Sequence, residues 1–155
     1  MKKYIVILLV ALLTLFPLNS ASAATQPDTT IVETFEDGSY IESTIEEISV
    51  PSSRSTTYTK SGRKTNTYKS SSGTALWSVT VTGTFTYNGS SATCTKSTVS
   101  TASYSNNWKI SSSSASKSGA TAKATATAKK YLDGSYVTSI SRSVSLTCSK
   151  SGTLS

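Results

Sequence analysis

The sequence predicts an all-β fold, an antiparallel β-sandwich that is immunoglobulin-like in general architecture, with about seven to nine strands. The strongest observation is the segment Ala75–Tyr87, where every odd position is apolar or Gly and every even position after Leu76 carries a hydroxyl group. Alternation with a period of two is the pattern of a half-buried antiparallel strand. The pair Asn88-Gly89 follows directly and favours a two-residue hairpin turn. A third observation is that no segment after Ala23 shows the period of an amphipathic helix.

The hairpin centred on Asn88-Gly89 sets the side on which the core is expected. A two-residue turn places Phe85 opposite Ala92 and Gly83 opposite Cys94. The apolar residues of both strands then lie on one face of the sheet.

The segment 120–128 carries alanine at each even position, with Thr or Lys at the positions between. Alanine and lysine favour a helix by intrinsic propensity. A helix would scatter the threonines over all of its faces, so the alternation favours a strand instead. The small inward face of this strand leaves room for Trp77 or Trp108 from across the core.

The final strand pattern has apolar residues at even positions, which predicts that its even face is buried. A three-residue loop, Leu132-Asp133-Gly134, followed by a bulge would pair Ala122 with Val144 and keep both apolar faces together. Arg142 then lies on the inward face, where its side chain must extend to an edge of the sheet or occupy a second bulge.

Two further patterns are weaker. The segment 58–68 is expected to form a short basic hairpin around Ser61-Gly62-Arg63. The strand that begins at Trp108 is expected to end within the serine-rich stretch 111–119, because apolar residues no longer alternate there.

The N-terminus has the pattern of a secretory signal peptide, which we assign to residues 1–23. Lys2-Lys3 precedes an apolar run, and Ala21-Ser22-Ala23 matches a cleavage site. The alternative is a retained anchor helix, but about 20 apolar residues are needed to span a bilayer. We therefore expect a secreted, extracellular chain that is not stably inserted in the membrane after cleavage.

Charge divides the remaining chain into two segments. Residues 24–50 contain seven acidic residues and no basic one, whereas residues 51–155 contain thirteen basic residues and one acidic residue. We interpret 24–50 as an acidic N-terminal segment and 51–155 as a basic, Ser/Thr-rich β-sandwich domain. Within the first segment, 31–48 is expected to form a hairpin that lies against the basic domain as an edge, with its glutamates near Lys60, Arg63, Lys64 or Lys69.

The chemistry of the side chains favours binding over catalysis. The chain has no histidine, which excludes Ser-His-Asp and Cys-His arrangements and ordinary zinc sites. We therefore expect no enzymatic activity, no metal and no cofactor. Cys94 and Cys148 are expected to form a structural disulfide in an exported chain, with two buried free thiols as the alternative.

Basic and aromatic residues are the candidate binding groups. The candidate polyanion-binding residues are Lys60, Arg63, Lys64, Lys69, Lys123 and Lys129. The alternative is that exposed lysines only keep the sheet soluble and protect its edges. Tyr104 and Trp108 flank a polar loop and are candidates for stacking on sugar rings, with core packing as the alternative for Trp108.

The segments 73–94, 36–40 and 146–152 resemble small secreted Ser/Thr-rich β-proteins of uncharacterised function from Gram-positive bacteria. This resemblance implies a secreted β fold but no activity. The sequence thus predicts a secreted, non-enzymatic β-domain that binds anionic cell-envelope polymers or glycans. The alternative is a secreted antagonistic peptide or toxin whose acidic segment is removed by processing.

Overall fold

The computed structural model describes residues 27–48 and 56–155, and all regular structure within these ranges is β-strand. The predicted signal peptide lies outside the described residues. The eight strands are β1 (Asp28–Thr34), β2 (Tyr40–Ile48), β3 (Tyr58–Lys69), β4 (Ala75–Tyr87), β5 (Ala92–Ser103), β6 (Trp108–Ser118), β7 (Thr121–Leu132) and β8 (Ser135–Thr147).

The strands form two antiparallel sheets that pack face to face, so the predicted all-β, sandwich-like fold is confirmed. The five-stranded sheet has the order β1-β2-β3-β4-β5, and the three-stranded sheet has the order β6-β7-β8. Both sheets are simple meanders, whereas immunoglobulin domains use Greek-key connections. The likeness to an immunoglobulin domain therefore extends only to two packed antiparallel sheets.

The core lies between the inner faces and is built from large residues on one sheet and small residues on the other. The odd positions of β4 supply fully buried Trp77, Val79, Val81 and Phe85. The three-stranded sheet supplies alanines at four successive even positions of β7, none of which exposes more than 1% of its surface: Ala122, Ala124, Ala126 and Ala128. The predicted alternation on β4 and β7 is confirmed on both strands.

The turn between β4 and β5 differs from the two-residue turn that was predicted. Tyr87 pairs with Ala92 and Phe85 pairs with Cys94, so the loop has four residues. The Asn88 side chain stabilises this longer turn, because its Oδ1 accepts hydrogen bonds from the backbone N–H groups of Ser90 and Ser91 at 3.0 and 2.9 Å. The predicted pairings of Phe85 with Ala92 and of Gly83 with Cys94 are both wrong, since Gly83 pairs with Ser97, but both apolar faces still lie on the inner side.

The basic hairpin predicted within 58–68 is also wrong, because β3 runs through it without a turn. Gly62 lies opposite Gly83 in a regular strand. A Cβ atom on Gly62 would lie 2.3 Å from Leu154 Cδ1, so glycine here permits the C-terminal segment to pack against the strand. β6 continues through almost the whole serine-rich stretch and ends at Ser118, although apolar residues no longer alternate there.

The turn between β7 and β8 has two residues, Asp133 and Gly134, both with positive φ angles of 50° and 80°. This is the φ pattern of a type I′ hairpin turn. A three-residue loop was expected to pair even positions of β7 with even positions of β8. A bulge between Lys130 and Tyr131 produces this pairing instead. The even positions from 122 to 128 of β7 and from 140 to 146 of β8 therefore face inward as predicted, but Ala122 pairs with Leu146 and Ala124 pairs with Val144. Tyr136, also at an even position, lies beyond the bulge and exposes 56% of its surface, so its predicted inward position is wrong.

The acidic hairpin is part of the five-stranded sheet, as expected for an edge hairpin. β2 pairs with β3 along its whole length, from Tyr40 opposite Lys69 to Ile48 opposite Ser61. Ile41 is buried in the common core, and Phe35 and Ile45 pack against it. The hairpin is thus held by backbone hydrogen bonds and apolar contacts as well as by charge.

Candidate functional site

From the Lys109–Lys129 pair to the Ser118–Thr121 pair, the outer face of the three-stranded sheet carries only hydroxylated and basic residues. The residues that pair across β6, β7 and β8 at the outward positions form this hydroxyl-lysine face. Its members are Lys109, Ser112, Ser114, Ser116, Ser118, Thr121, Lys123, Thr125, Thr127, Lys129, Ser139, Ser141, Ser143, Ser145 and Thr147. No acidic and no apolar residue occurs in this set, so the face is a positively charged hydrogen-bonding surface.

Hydrogen bonds between strands fix several hydroxyl groups of this face. The side-chain hydroxyl oxygens lie 2.6 Å apart in the pair Thr127–Ser141, 2.9 Å apart in Thr125–Ser143 and 3.0 Å apart in Thr121–Thr147. Each hydroxyl has one proton and two lone pairs. The pairs therefore retain acceptor capacity, and one proton of each pair is free to point outward.

Two lysines meet at one end of the hydroxyl-lysine face. Lys109 of β6 pairs directly with Lys129 of β7. The Lys109 ammonium lies 5.2 Å from the centroid of the Tyr131 ring, and the Tyr131 and Tyr136 rings make an edge contact with centroids 6.2 Å apart. We call these four residues the lysine-tyrosine cluster. It combines two cations with aromatic surface, since Tyr136 exposes 56% of its area.

The predicted basic residues of β3 have a different environment. Arg63 forms an ion pair with Glu46 at 2.8 Å, and Lys69 forms one with Glu42 at 2.7 Å. Both pairs join β3 to β2, as the sequence predicted.

The other two predicted basic residues of β3, Lys60 and Lys64, are half-buried and lie opposite the buried residues Phe85 and Val81 of β4. Lys60 forms an ion pair with Glu47 at 3.0 Å. Lys64 pairs with Ile45 and Val81. The structure therefore does not bring the four β3 residues together with Lys123 and Lys129 on one surface.

The two predicted stacking residues are separated as well. Tyr104 is exposed, and its hydroxyl lies 3.1 Å from Ser78 Oγ. Trp108 is buried, with its ring 5.5 Å from that of Tyr68 and 6.4 Å from that of Trp77. Trp108 is therefore mainly a core residue.

The predicted disulfide is not present, because Cys94 and Cys148 are free, buried thiols. The backbone N–H groups of the two cysteines donate to the carbonyls of Gly119 and Ala120. Cys94 Sγ donates to the carbonyl of Lys96 at 3.2 Å, and Cys148 Sγ donates to that of Ser149 at 3.4 Å. Burial raises the pKa of both thiols. The thiols are thus protonated donors at neutral pH, as in the alternative that the sequence left open.

Arg142 reaches an edge of the sandwich, which is one of the two placements expected from its inward position. Its guanidinium carbon lies 5.1 Å from the centroid of the Phe35 ring, and one nitrogen lies 3.4 Å from Glu33 Oε1. Arg142 Nε is buried and has no hydrogen-bond partner within the described ranges. The contacts of Arg142 connect β8 to the first hairpin.

No metal centre is evident in the part of the chain that the structure describes, since three or more His, Cys, Asp or Glu side chains do not gather there. Over residues 27–48 and 56–155, we also find no helix with the length and apolar character needed to cross a bilayer.

Comparison of the chain with protein-family models, with curated proteins and with solved structures finds no match.

Proposed function

We propose that this protein is a secreted, non-enzymatic module that binds anionic cell-envelope polymers or glycans through the hydroxyl-lysine face. The observation that carries this proposal is the direct cross-strand pairing of Lys109 with Lys129. Like charges opposite each other destabilise a sheet. An anionic group between the two ammonium groups would remove this repulsion, so the bound state gains an interaction that the free protein lacks.

The rest of the face suits a polymer better than a single small anion. Lys123 lies six positions from Lys129 on the same strand, which corresponds to about 20 Å in a β-strand. A polymer with regularly spaced anionic groups would reach both ends of this face. The hydroxyl groups between the lysines would bind the polar groups of the repeating units.

The tyrosines of the lysine-tyrosine cluster favour a polymer that contains sugar rings. Tyr136 exposes an aromatic surface beside the paired lysines, and its edge contact with Tyr131 restricts its orientation. An aromatic ring packs well against the C–H groups on one face of a sugar. The cluster would then contact a charged group and a ring of the same polymer.

The alternative function, a toxin released by removal of the acidic segment, has less support. Cleavage after residue 50 would remove β1 and β2 and uncover the backbone of β3 along nine paired positions. It would also remove Ile41 from the core. The acidic segment therefore forms part of the sheet and of the core, which favours its retention in the mature protein.

Binding to purified poly(glycerol phosphate) teichoic acid at low salt tests the proposal. We expect the double variant Lys109→Gln/Lys129→Gln to weaken binding by about tenfold or more, because two charge-assisted contacts are lost. The matched control is Arg63→Gln/Lys69→Gln, which removes the same net charge from the ion-paired outer face of the other sheet. This control should weaken binding several-fold less.

Two results would overturn the proposal. One is equal weakening by both double variants, which would mean that only net charge matters. The other is no measurable binding of the unaltered protein at low salt. A circular dichroism spectrum and a urea unfolding curve for each variant would establish that the fold is retained.

A further inference from the structure

A cavity of about 300 Å³ lies at the end of the sandwich where three connections meet the end of β7. The β1–β2, β3–β4 and β5–β6 connections and the end of β7 all contribute to its wall. The residues that matter for its chemistry are Asp37, Ser39, Tyr68, Asn107, Trp108 and Lys130. The volume is at the lower end of the range for small-molecule pockets, so it suits one ring rather than an extended ligand.

A hydrogen-bond chain orients the acidic wall of this end pocket. Asp37 Oδ1 accepts hydrogen bonds from the backbone N–H of Ser39 at 3.0 Å and from the Ser39 hydroxyl at 2.5 Å. Since the Ser39 proton is used on Asp37, the Tyr68 hydroxyl is the donor in its 2.8 Å contact with Ser39 Oγ. Asp37 Oδ2 makes no hydrogen bond to any described residue, so this oxygen is available to a ligand.

The basic wall is provided by Lys130. The hydrogen bonds from Ser39 are the main cause of the lowered pKa of Asp37, and the positive charge of Lys130 lowers it slightly further. No salt bridge joins Asp37 and Lys130 among the described residues. The pocket thus presents an acceptor and a donor that do not satisfy each other, with the amide of Asn107 and serine hydroxyls in the same wall.

The inner part of the pocket is apolar. Trp108 and Tyr68 are mostly buried and contact each other edge to face, with ring centroids 5.5 Å apart. Leu76 and Leu132 add aliphatic surface to the lining. A ligand in this pocket would therefore meet polar groups around its rim and apolar groups against one side.

We propose that the end pocket binds a single neutral sugar ring. A sugar presents hydroxyl groups that both donate and accept around its edge, and C–H groups on its faces, which matches this lining. A free amino acid would also match one carboxylate and one ammonium group. Exposed ion pairs contribute only about 0–1 kcal/mol each, however, and the uncharged hydroxyl and amide groups of the wall would be left without partners.

Titration of the ¹⁵N-labelled protein with methyl β-glucopyranoside and with the methyl glycoside of N-acetylglucosamine tests this proposal. We expect saturable shifts in the backbone amides of Ser39, Asn107 and Lys130 and in the indole N–H of Trp108 for at least one glycoside. Asp37→Asn should weaken binding by about tenfold, because a charge-assisted hydrogen bond becomes a neutral one. The asparagine oxygen can still accept the hydrogen bonds from Ser39.

The sequence Asp-Gly-Ser-Tyr occurs twice, at 37–40 and at 133–136. The second copy supplies a matched control, because Asp133→Asn makes the same change outside the pocket. This variant should bind like the unaltered protein. Asn107→Ala gives a second test inside the pocket and should also weaken binding.

Several outcomes would contradict the end-pocket proposal. They are the absence of saturable shifts with both glycosides, equal effects of Asp37→Asn and Asp133→Asn, and shifts of the same residues with glycine as a zwitterion control. Because both glycosides are uncharged, they do not test the paired lysines. Teichoic acid binding without glycoside binding would therefore contradict this proposal alone.

Discussion

The outer faces of the two sheets differ in whether their basic residues have acidic partners. On the five-stranded sheet, Arg63 and Lys69 are each within 2.8 Å of a glutamate of β2. On the three-stranded sheet, Lys109 and Lys129 face each other, and the outward positions contain no acid. The same excess of basic residues thus gives a neutralised surface on one sheet and an unbalanced one on the other. This difference indicates that a basic sequence locates a binding surface only when strand pairing is known.

The inner faces of the two sheets differ in volume. β4 supplies two of the largest fully buried side chains, Trp77 and Phe85, whereas β7 supplies alanines. A Cβ atom on Gly83 would lie 2.5 Å from the Phe85 ring and 2.9 Å from Ala122 Cβ, which shows how closely the two sheets approach there. The core therefore depends on large side chains from one sheet fitting against small ones from the other.

Removing a large buried side chain of β4 should have the greatest effect, measured as a loss of stability. Phe85→Ala should lower the free energy of unfolding by about 3–5 kcal/mol, because the alanines opposite cannot fill the space. Urea unfolding followed by circular dichroism measures this change. Val137→Ala, at a position with 48% exposure, should change stability by no more than about 0.5 kcal/mol. A loss below about 1 kcal/mol for Phe85→Ala would show that the sheets do not pack in this way.

Removing the glutamates that pair with Arg63 and Lys69 should have an effect of intermediate size. Glu42→Gln/Glu46→Gln frees Lys69 and Arg63, so the variant should elute from a cation exchanger at higher salt than the unaltered protein. Stability should fall by no more than about 1 kcal/mol per pair.

The matched control for this double variant removes two exposed acids that form no ion pair with any described residue, Asp28→Asn/Glu36→Gln. The net charge change is identical in the two variants. Elution of both at the same salt concentration would mean that the β2 glutamates do not mask the β3 cations.

Adding a reducing agent should have the smallest effect on stability. Cys94 lies on β5 of one sheet and Cys148 follows β8 of the other, and both are free thiols. A reducing agent should therefore leave the urea midpoint unchanged, and the unreduced, denatured protein should take up two alkyl groups per chain. Loss of about 2–5 kcal/mol on reduction would instead indicate a disulfide between the sheets.

The sequence predicts the faces of the strands well, because side chains alternate with a period of two wherever one face is buried. The inward alanines of β7 and the inward position of Arg142 follow from this rule alone. The ion pairs between β2 and β3 follow from the segregation of charge along the chain.

The turns and the candidate site depend on contacts that local patterns do not contain. Glycine is a residue type typical of turns, but Gly62 lies within a strand. Leu154, which is distant in the sequence, packs against it and leaves no room for a side chain. The Lys109–Lys129 pair depends on the register of β6 against β7, which shifts between Ile110 and Ser112. A one-residue shift of this kind has no reliable signal in the sequence.

Lysine acetylation footprinting tests most directly whether the unbalanced sheet is the binding surface. The protein is acetylated with and without poly(glycerol phosphate) teichoic acid, and the reactivity of each lysine is measured by peptide mass spectrometry. We predict that the polymer protects Lys109, Lys123 and Lys129 and leaves Lys69 nearly unchanged. Protection of Lys69 without protection of Lys109 and Lys129 would contradict the account.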